Sequence, residues 1–138
     1  MIPVLLDTSV VVAIFNLSEL RHSECVALID DLNSPLVTCE AVIAEACHLL
    51  RNVHGAPEAI LQNVEQGSFQ IPFDLANSAG EVRAIMRKYR DIPADFADAC
   101  LIHLADTLGV GEILTFDTDF RTYRWRKSRP FRLLLDEH

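Results

Sequence analysis

Apolar residues along this chain fall into two rhythms: short unbroken runs, and longer stretches with repeats three and four apart. Ile2-Pro3-Val4-Leu5-Leu6 is a continuous run that stops at Asp7, as a strand buried on both faces does. Residues 8–16 stay apolar through Val10, Val11, Val12, Ala13, Ile14 and Phe15. Their length predicts a helix packed on that strand, in spite of the stiff β-branched side chains. Cys25, Leu28, Ile29 and Leu32 give a helical spacing over 19–32, closed by Asn33-Ser34-Pro35. Leu36-Val37 reads as a brief strand, with Thr38 the expected N-cap of a helix over about 39–53. A further helix is expected at 56–66, ended by Gly67, and Phe69-Gln70-Ile71 reads as a strand. Helices are expected at about 74–89 and 95–108, the second stopped by Gly109 and Gly111. Glu112-Ile113-Leu114-Thr115 is a strand leading to Asp117, and a last strand runs from Phe131 to Leu135 after a basic loop. Short strands alternating with longer helices predict right-handed crossovers and a parallel sheet with helices on both faces, an α/β fold. No repeat, low-complexity segment or linker interrupts it, so residues 1–138 are expected to form a single domain.

Four acids break this pattern. With successive residues about 100° apart on the 95–108 helix, Leu101, Ile102, Ala105 and Leu108 fall within about 80° of Asp98. Asp98 therefore occupies the centre of the apolar stripe, where an unpaired carboxylate costs several kcal/mol of desolvation unless something offsets it. A buried salt bridge or a helix-terminal contact would suffice, but Asp95 is the better N-cap and leaves Asp98 for other work. Glu45 repeats the anomaly at the edge of the stripe made by Val42, Ala46, Leu49, Leu50 and Val53, from where it could also reach solvent. Asp7 and Asp117 each follow the carboxyl end of an apolar strand. Ligand sites in open α/β sheets lie there, although such acids can also simply cap the next helix.

Carboxylates brought together raise one another's pKa, and a hard divalent cation among them relieves the repulsion. Mg²⁺ or Mn²⁺, which take oxygen ligands, fit such a set, and either would activate water and offset charge on a phosphoryl transition state. None of the five histidines has a paired catalytic motif; His48 and His103 are read as structural.

Composition narrows the class. Half the residues are apolar and 23% are charged, which excludes disorder. No apolar run approaches the roughly 18 residues that span a bilayer, and the N-terminus lacks a basic n-region, so the cytoplasm is the expected location, with no membrane association. Cys25, Cys39, Cys47 and Cys100 lack zinc-site spacing and are expected as small free hydrophobes. The net charge of −8 argues against a nucleic-acid partner until its distribution is seen. Ten of the twelve Lys and Arg residues fall at Arg83, Arg87, Lys88 and Arg90, and at Arg121, Arg124, Arg126, Lys127, Arg129 and Arg132.

Taken in order, Leu6-Asp7-Thr8-Ser9, Ala44-Glu45-Ala46, Asp95-Phe96-Ala97-Asp98-Ala99 and Leu114-Thr115-Phe116-Asp117-Thr118-Asp119-Phe120 resemble the PIN-domain family. Within it the chain looks most like the VapC-type toxins of bacterial toxin–antitoxin pairs. The likeness runs from about residue 4 to 134, and its specificity lies in four weak motifs occurring together in order. The resemblance implies a five-stranded parallel sheet flanked by helices, and Mg²⁺- or Mn²⁺-dependent endonucleolytic cleavage of RNA. It maps the family's four acids onto Asp7, Glu45, Asp98 and Asp117, with Asp7 and Asp98 the foremost metal ligands. It matches Ser9 and Thr115 to supporting hydroxyl positions, and it implies a homodimer held inactive by a cognate antitoxin. Asp119 could replace or assist Asp117, and Asp95, at i, i+3 from Asp98, could reach the metal.

The stretch 121–132 interleaves six cations with Tyr123, Trp125 and Phe131. Arg121, Arg124, Trp125, Arg126, Lys127 and Arg129 are the expected RNA contacts, through phosphates and base stacking, while Phe131 is expected in the core. An acidic antitoxin tail could use the same surface. The 83–90 group reads as a solvated helix face. A haloacid-dehalogenase-type phosphatase would want a second Asp where Ser9 stands. A receiver domain would want paired acids near the start and a later Lys, and a P-loop motif is missing. The remaining rival is a non-catalytic module whose acids hold a structural cation or a partner's arginines.

Overall fold

In the computed structural model, which describes residues 1–137, the first strand is the middle of the sheet. The chain lays down β1 (Val4–Leu6), α1 (Thr8–Phe15), α2 (His22–Leu32), β2 (Leu36–Val37), α3 (Glu40–Leu49), α4 (Ala56–Glu65) and β3 (Phe69–Gln70). It continues with α5 (Leu75–Lys88), α6 (Phe96–Leu108), β4 (Glu112–Leu114), the hairpin strands β5 (Arg124–Trp125) and β6 (Arg129–Pro130), and β7 (Arg132–Leu133). Five strands pair in the order β3-β2-β1-β4-β7, every pairing parallel, with Leu5 facing Val37 on one side and Ile113 on the other. The chain steps outward from β1 to β2 and β3, then returns to begin the other half with β4. The order therefore reverses between β1 and β4, and a crevice opens beyond their carboxyl ends.

The expected α/β architecture is the one found, with shorter elements. Val4, Leu5 and Leu6 are buried, as a central parallel strand requires. α1 packs against α2, α3 and α4, while α5 lies along α6, which also meets α3. α6 is the central helix: Ala97 to Ile102, Leu104 and Ala105 are all buried, and Gly109 closes it in the left-handed conformation. α5 buries only Val82, and Arg83, Arg87, Lys88 and Arg90 stand in solvent as expected. The cysteines are free thiols, three of them buried, and those of Cys39 and Cys100 meet between α3 and α6.

Several local expectations are corrected. Thr38 does not cap α3; Cys39 takes the N-cap position without a side-chain bond. The Thr38 amide still pairs with the Gln70 carbonyl in the sheet, and its hydroxyl donates to the Leu6 carbonyl at 2.8 Å. α3 ends at Leu49, which is 55% exposed, so the stripe inferred through 53 is too long. Gly111 is not a helix stop: a Cβ there would lie 2.1 Å from the Trp125 indole nitrogen, so glycine admits the ring. The basic loop holds a hairpin that the sequence did not announce, because its turn uses Arg126 and Lys127 at positive φ instead of Gly or Asn. The last strand covers only Arg132–Leu133 before a 3₁₀ turn over Leu134–Glu137.

Candidate active site

The carboxyl ends of β1 and β4, where the crevice opens, are tied together by hydrogen bonds running in both directions. The Asp7 amide donates to the Leu114 carbonyl at 3.1 Å. Asp7 then caps α1: its Oδ1 accepts the Thr8 amide at 2.8 Å, and its Oδ2 accepts the Thr115 hydroxyl at 2.6 Å. That same hydroxyl accepts the Asp117 amide at 2.9 Å, and Ser9 Oγ accepts the Phe116 amide at 3.0 Å. Residues 115–117 are thus pinned onto the head of α1, and Asp117 is fixed further by accepting the Asp119 amide at 2.9 Å.

The third acid arrives from α6. Asp95 caps that helix, its Oδ1 accepting the Asp98 amide at 2.8 Å, as the sequence suggested. Asp98 lies in the first turn of α6 and is 8% exposed, and its Oδ2 accepts the Tyr123 hydroxyl at 3.2 Å. One carboxylate oxygen each from Asp7, Asp98 and Asp117 lies within 4.8 Å of the others. Three segments that are remote in the chain therefore converge at the switch point.

The electrostatics follow from this crowding. Burial pushes the Asp7 carboxyl up to about 6, against the Thr115 and Thr8 hydrogen bonds, and the charges of Asp117 and Glu45 add to the rise. Asp98 is pushed up to about 8, first by burial and then by Asp95, Asp7 and Asp117, with only the Tyr123 bond opposing. The Thr8 hydroxyl is buried and has no hydrogen-bond partner, although it sits close enough to Glu45 to favour that carboxylate's ionised form. A cluster of hard oxygen donors that repel one another when ionised fits a divalent cation of the Mg²⁺ or Mn²⁺ kind.

The other expected site residues stand at different distances from this centre. Glu45, on α3, is an exposed residue whose carboxylate raises Asp7 and is itself raised by partial desolvation and by Asp95. It faces the cluster without joining the three oxygens, and neither Asp95 nor Asp119 joins them. In the basic segment, the half-buried Arg124 folds back on its own backbone, its Nη1 donating to the carbonyls of Arg121, Thr122 and Tyr123. Arg126 is bound to Asp106 through its amide and its Nε. Trp125 is 8% exposed, with its indole N–H donating to the Pro130 carbonyl and Arg126 and Arg129 over its ring. Its face is thus not the open stacking platform that the sequence suggested. Arg121, Arg126, Lys127 and Arg129 are exposed. Tyr123, to which the sequence assigned no role, is fully buried together with Phe120.

A family model for the PIN domain matches residues 4–126, and the chain belongs to the PIN-domain family. It is similar to Ribonuclease VapC26 of Mycobacterium tuberculosis (strain ATCC 25618 / H37Rv), at 30% identity over 115 residues. That match covers 82% of this chain and 85% of the relative, and places the chain among the VapC-type members. The fold is also that of the crystal structure of Mycobacterium tuberculosis VapC20, a toxin described as cleaving the sarcin–ricin loop. The TM-score is 0.79 at 21% identity, over 92% of this chain and 99% of that one.

Proposed function

We propose that the protein is the endoribonuclease toxin of a toxin–antitoxin pair, working with Mg²⁺ or Mn²⁺ held by Asp7, Asp98 and Asp117. The family membership makes it a ribonuclease of the VapC kind. The single observation that carries the metal reading is the meeting of those three carboxylates, one oxygen from each within 4.8 Å of the others.

When bound, the divalent ion supplies Lewis-acid chemistry, lowering the pKa of water and offsetting charge at the phosphorus. The protein's part is to present oxygens in a fixed arrangement. Thr115 and Ser9 lock the two strand ends so that Asp7 and Asp117 face each other. Glu45, exposed on α3 and close enough to raise Asp7, is assigned the role of orienting water or taking a proton from it. The exposed Arg121, Lys127 and Arg129 are assigned phosphate contacts on the RNA, and the two-copy assembly and the antitoxin complex belong to the same reading.

Purified antitoxin-free protein should cleave RNA when Mn²⁺ is added and stop when it is chelated. Asp98→Asn should lose that cleavage by more than about a thousandfold while remaining folded, as loss of a metal ligand demands. A variant that cuts at the parent rate would remove Asp98 from the mechanism.

A further inference from the structure

Behind the acidic cluster lies a wall of aromatic rings. Tyr123 is 0% exposed. Its ring meets Tyr89 edge-on at 4.9 Å and Phe120 at 5.0 Å, and Phe120 in turn meets Phe131 at 5.4 Å. Tyr89 is itself fixed, its hydroxyl accepting the Arg124 amide at 2.9 Å. The Tyr123 ring therefore has little freedom, and its hydroxyl can reach only where the packing aims it. It is aimed at Asp98, donating to Oδ2 at 3.2 Å.

A core position alone does not ask for that hydroxyl. Phenylalanine would fill the same volume without burying a phenol oxygen, which needs a partner. The Asp98 carboxylate, for its part, hangs from the first turn of α6 by a short side chain whose terminal torsion is soft. Nothing else in its hydrogen-bond environment is a side-chain donor among the described residues: its amide goes to Asp95, and its acid neighbours only repel it.

We propose that Tyr123 is a positioning residue of the metal centre, whose hydroxyl ties down Oδ2 of Asp98 and so fixes the direction in which that carboxylate meets Asp7 and Asp117. The inference rests on the metal-site reading above and deepens it. Donors to a ligating carboxylate commonly set its orientation and basicity, and their loss weakens metal binding about ten- to a hundredfold. The aromatic wall then has a second use besides packing: it carries rigidity from the 120–131 segment into the site.

Mn²⁺ titration followed by electron paramagnetic resonance, on the full chain without RNA, separates this role from simple packing. Tyr123→Phe should melt in EDTA close to the parent yet bind Mn²⁺ about ten- to a hundredfold more weakly. Tyr89→Phe removes a hydroxyl from the same wall, and should lower the melting temperature while leaving Mn²⁺ affinity at the parental value. Parental affinity in Tyr123→Phe, with binding lost in Asp98→Asn, overturns the positioning role and leaves the metal site standing. Parental affinity in both variants overturns the metal site as well. The chain has two tyrosines, so 3-fluorotyrosine in a Tyr89→Phe background reports Tyr123 alone even if Tyr123→Phe fails to fold. Its ¹⁹F resonance should move on adding Mg²⁺, and a resonance that stays put contradicts the proposal.

Discussion

Thr115 donates its hydroxyl to Asp7 Oδ2 at 2.6 Å, joining the ends of β4 and β1 across 108 positions of the chain. The bond does two things at once. It counters the burial that pushes Asp7 upward, and by accepting the Asp117 amide it sets the spacing between two of the three acids.

Thr115→Val should therefore weaken Mn²⁺ binding and cleavage by about tenfold or more, and cost on the order of 1 kcal/mol of stability. Thr115→Ser, which keeps the hydroxyl, should restore most of both. Mn²⁺ affinity and a urea melt on the two variants check this; equal behaviour of Val and Ser would show that the hydroxyl is not what matters.

The raised carboxyls make metal-free stability depend on pH in a defined direction. Asp7 at about 6 and Asp98 at about 8 hold protons in the folded chain where an unfolded chain, near 3.8, has released them. The folded state binds more protons in that window, so their contribution is complete below about pH 4 and is lost as the pH rises through about 6 and about 8. Melting temperatures in EDTA should fall from pH 5 to pH 8, and Asp98→Asn should flatten the decline. A metal-free protein that gains stability over that range would contradict these shifts.

The same linkage sets when the metal helps most. Protons and cation compete for the carboxylates, so Mn²⁺ should raise the melting temperature more at pH 8 than at pH 5. At a hundred times the dissociation constant the gain is about 2.7 kcal/mol. Equal shifts at both pH values would place the ion elsewhere than on Asp7 and Asp98.

Gly111 and Trp125 provide a test of how the hairpin packs on the sheet. A Cβ at 111 would lie 2.1 Å from the indole nitrogen and 2.6 Å from the adjoining ring carbon, so Gly111→Ala must displace the ring. A loss of about 1–3 kcal/mol is expected for such overpacking, with a red-shifted fluorescence from the single tryptophan. An unshifted spectrum and parental stability would show the ring to be less confined than its packing implies.

How much of this was legible in the sequence depends on the kind of signal. Asp98 could be found because an acid at the centre of an apolar stripe is costly, and the structure does bury it in α6. Asp7 and Asp117 could be placed because strand ends at a switch point are where the chain can afford polar groups. Glu45 was harder, since a stripe edge does not say whether a carboxylate faces the crevice or the solvent. The acids that the sequence left as alternates, Asp95 and Asp119, turn out to lie beside the cluster, and only the fold could separate them from it. Composition misled at 121–132: arginines beside aromatics suggested a stacking face, whereas Arg124 and Trp125 are folded onto their own hairpin. That hairpin turns at Arg126 and Lys127, residues with no turn signature, so its existence and the inward path of Tyr123 had no local marker.

The central claim is that one divalent cation is shared by acids from β1, α6 and the segment after β4. Anomalous diffraction from crystals soaked in Mn²⁺ tests it most directly. A peak within bonding distance of Asp7, Asp98 and Asp117 together is the expected result; a map with no peak among them, from protein that still cleaves RNA, would contradict the account.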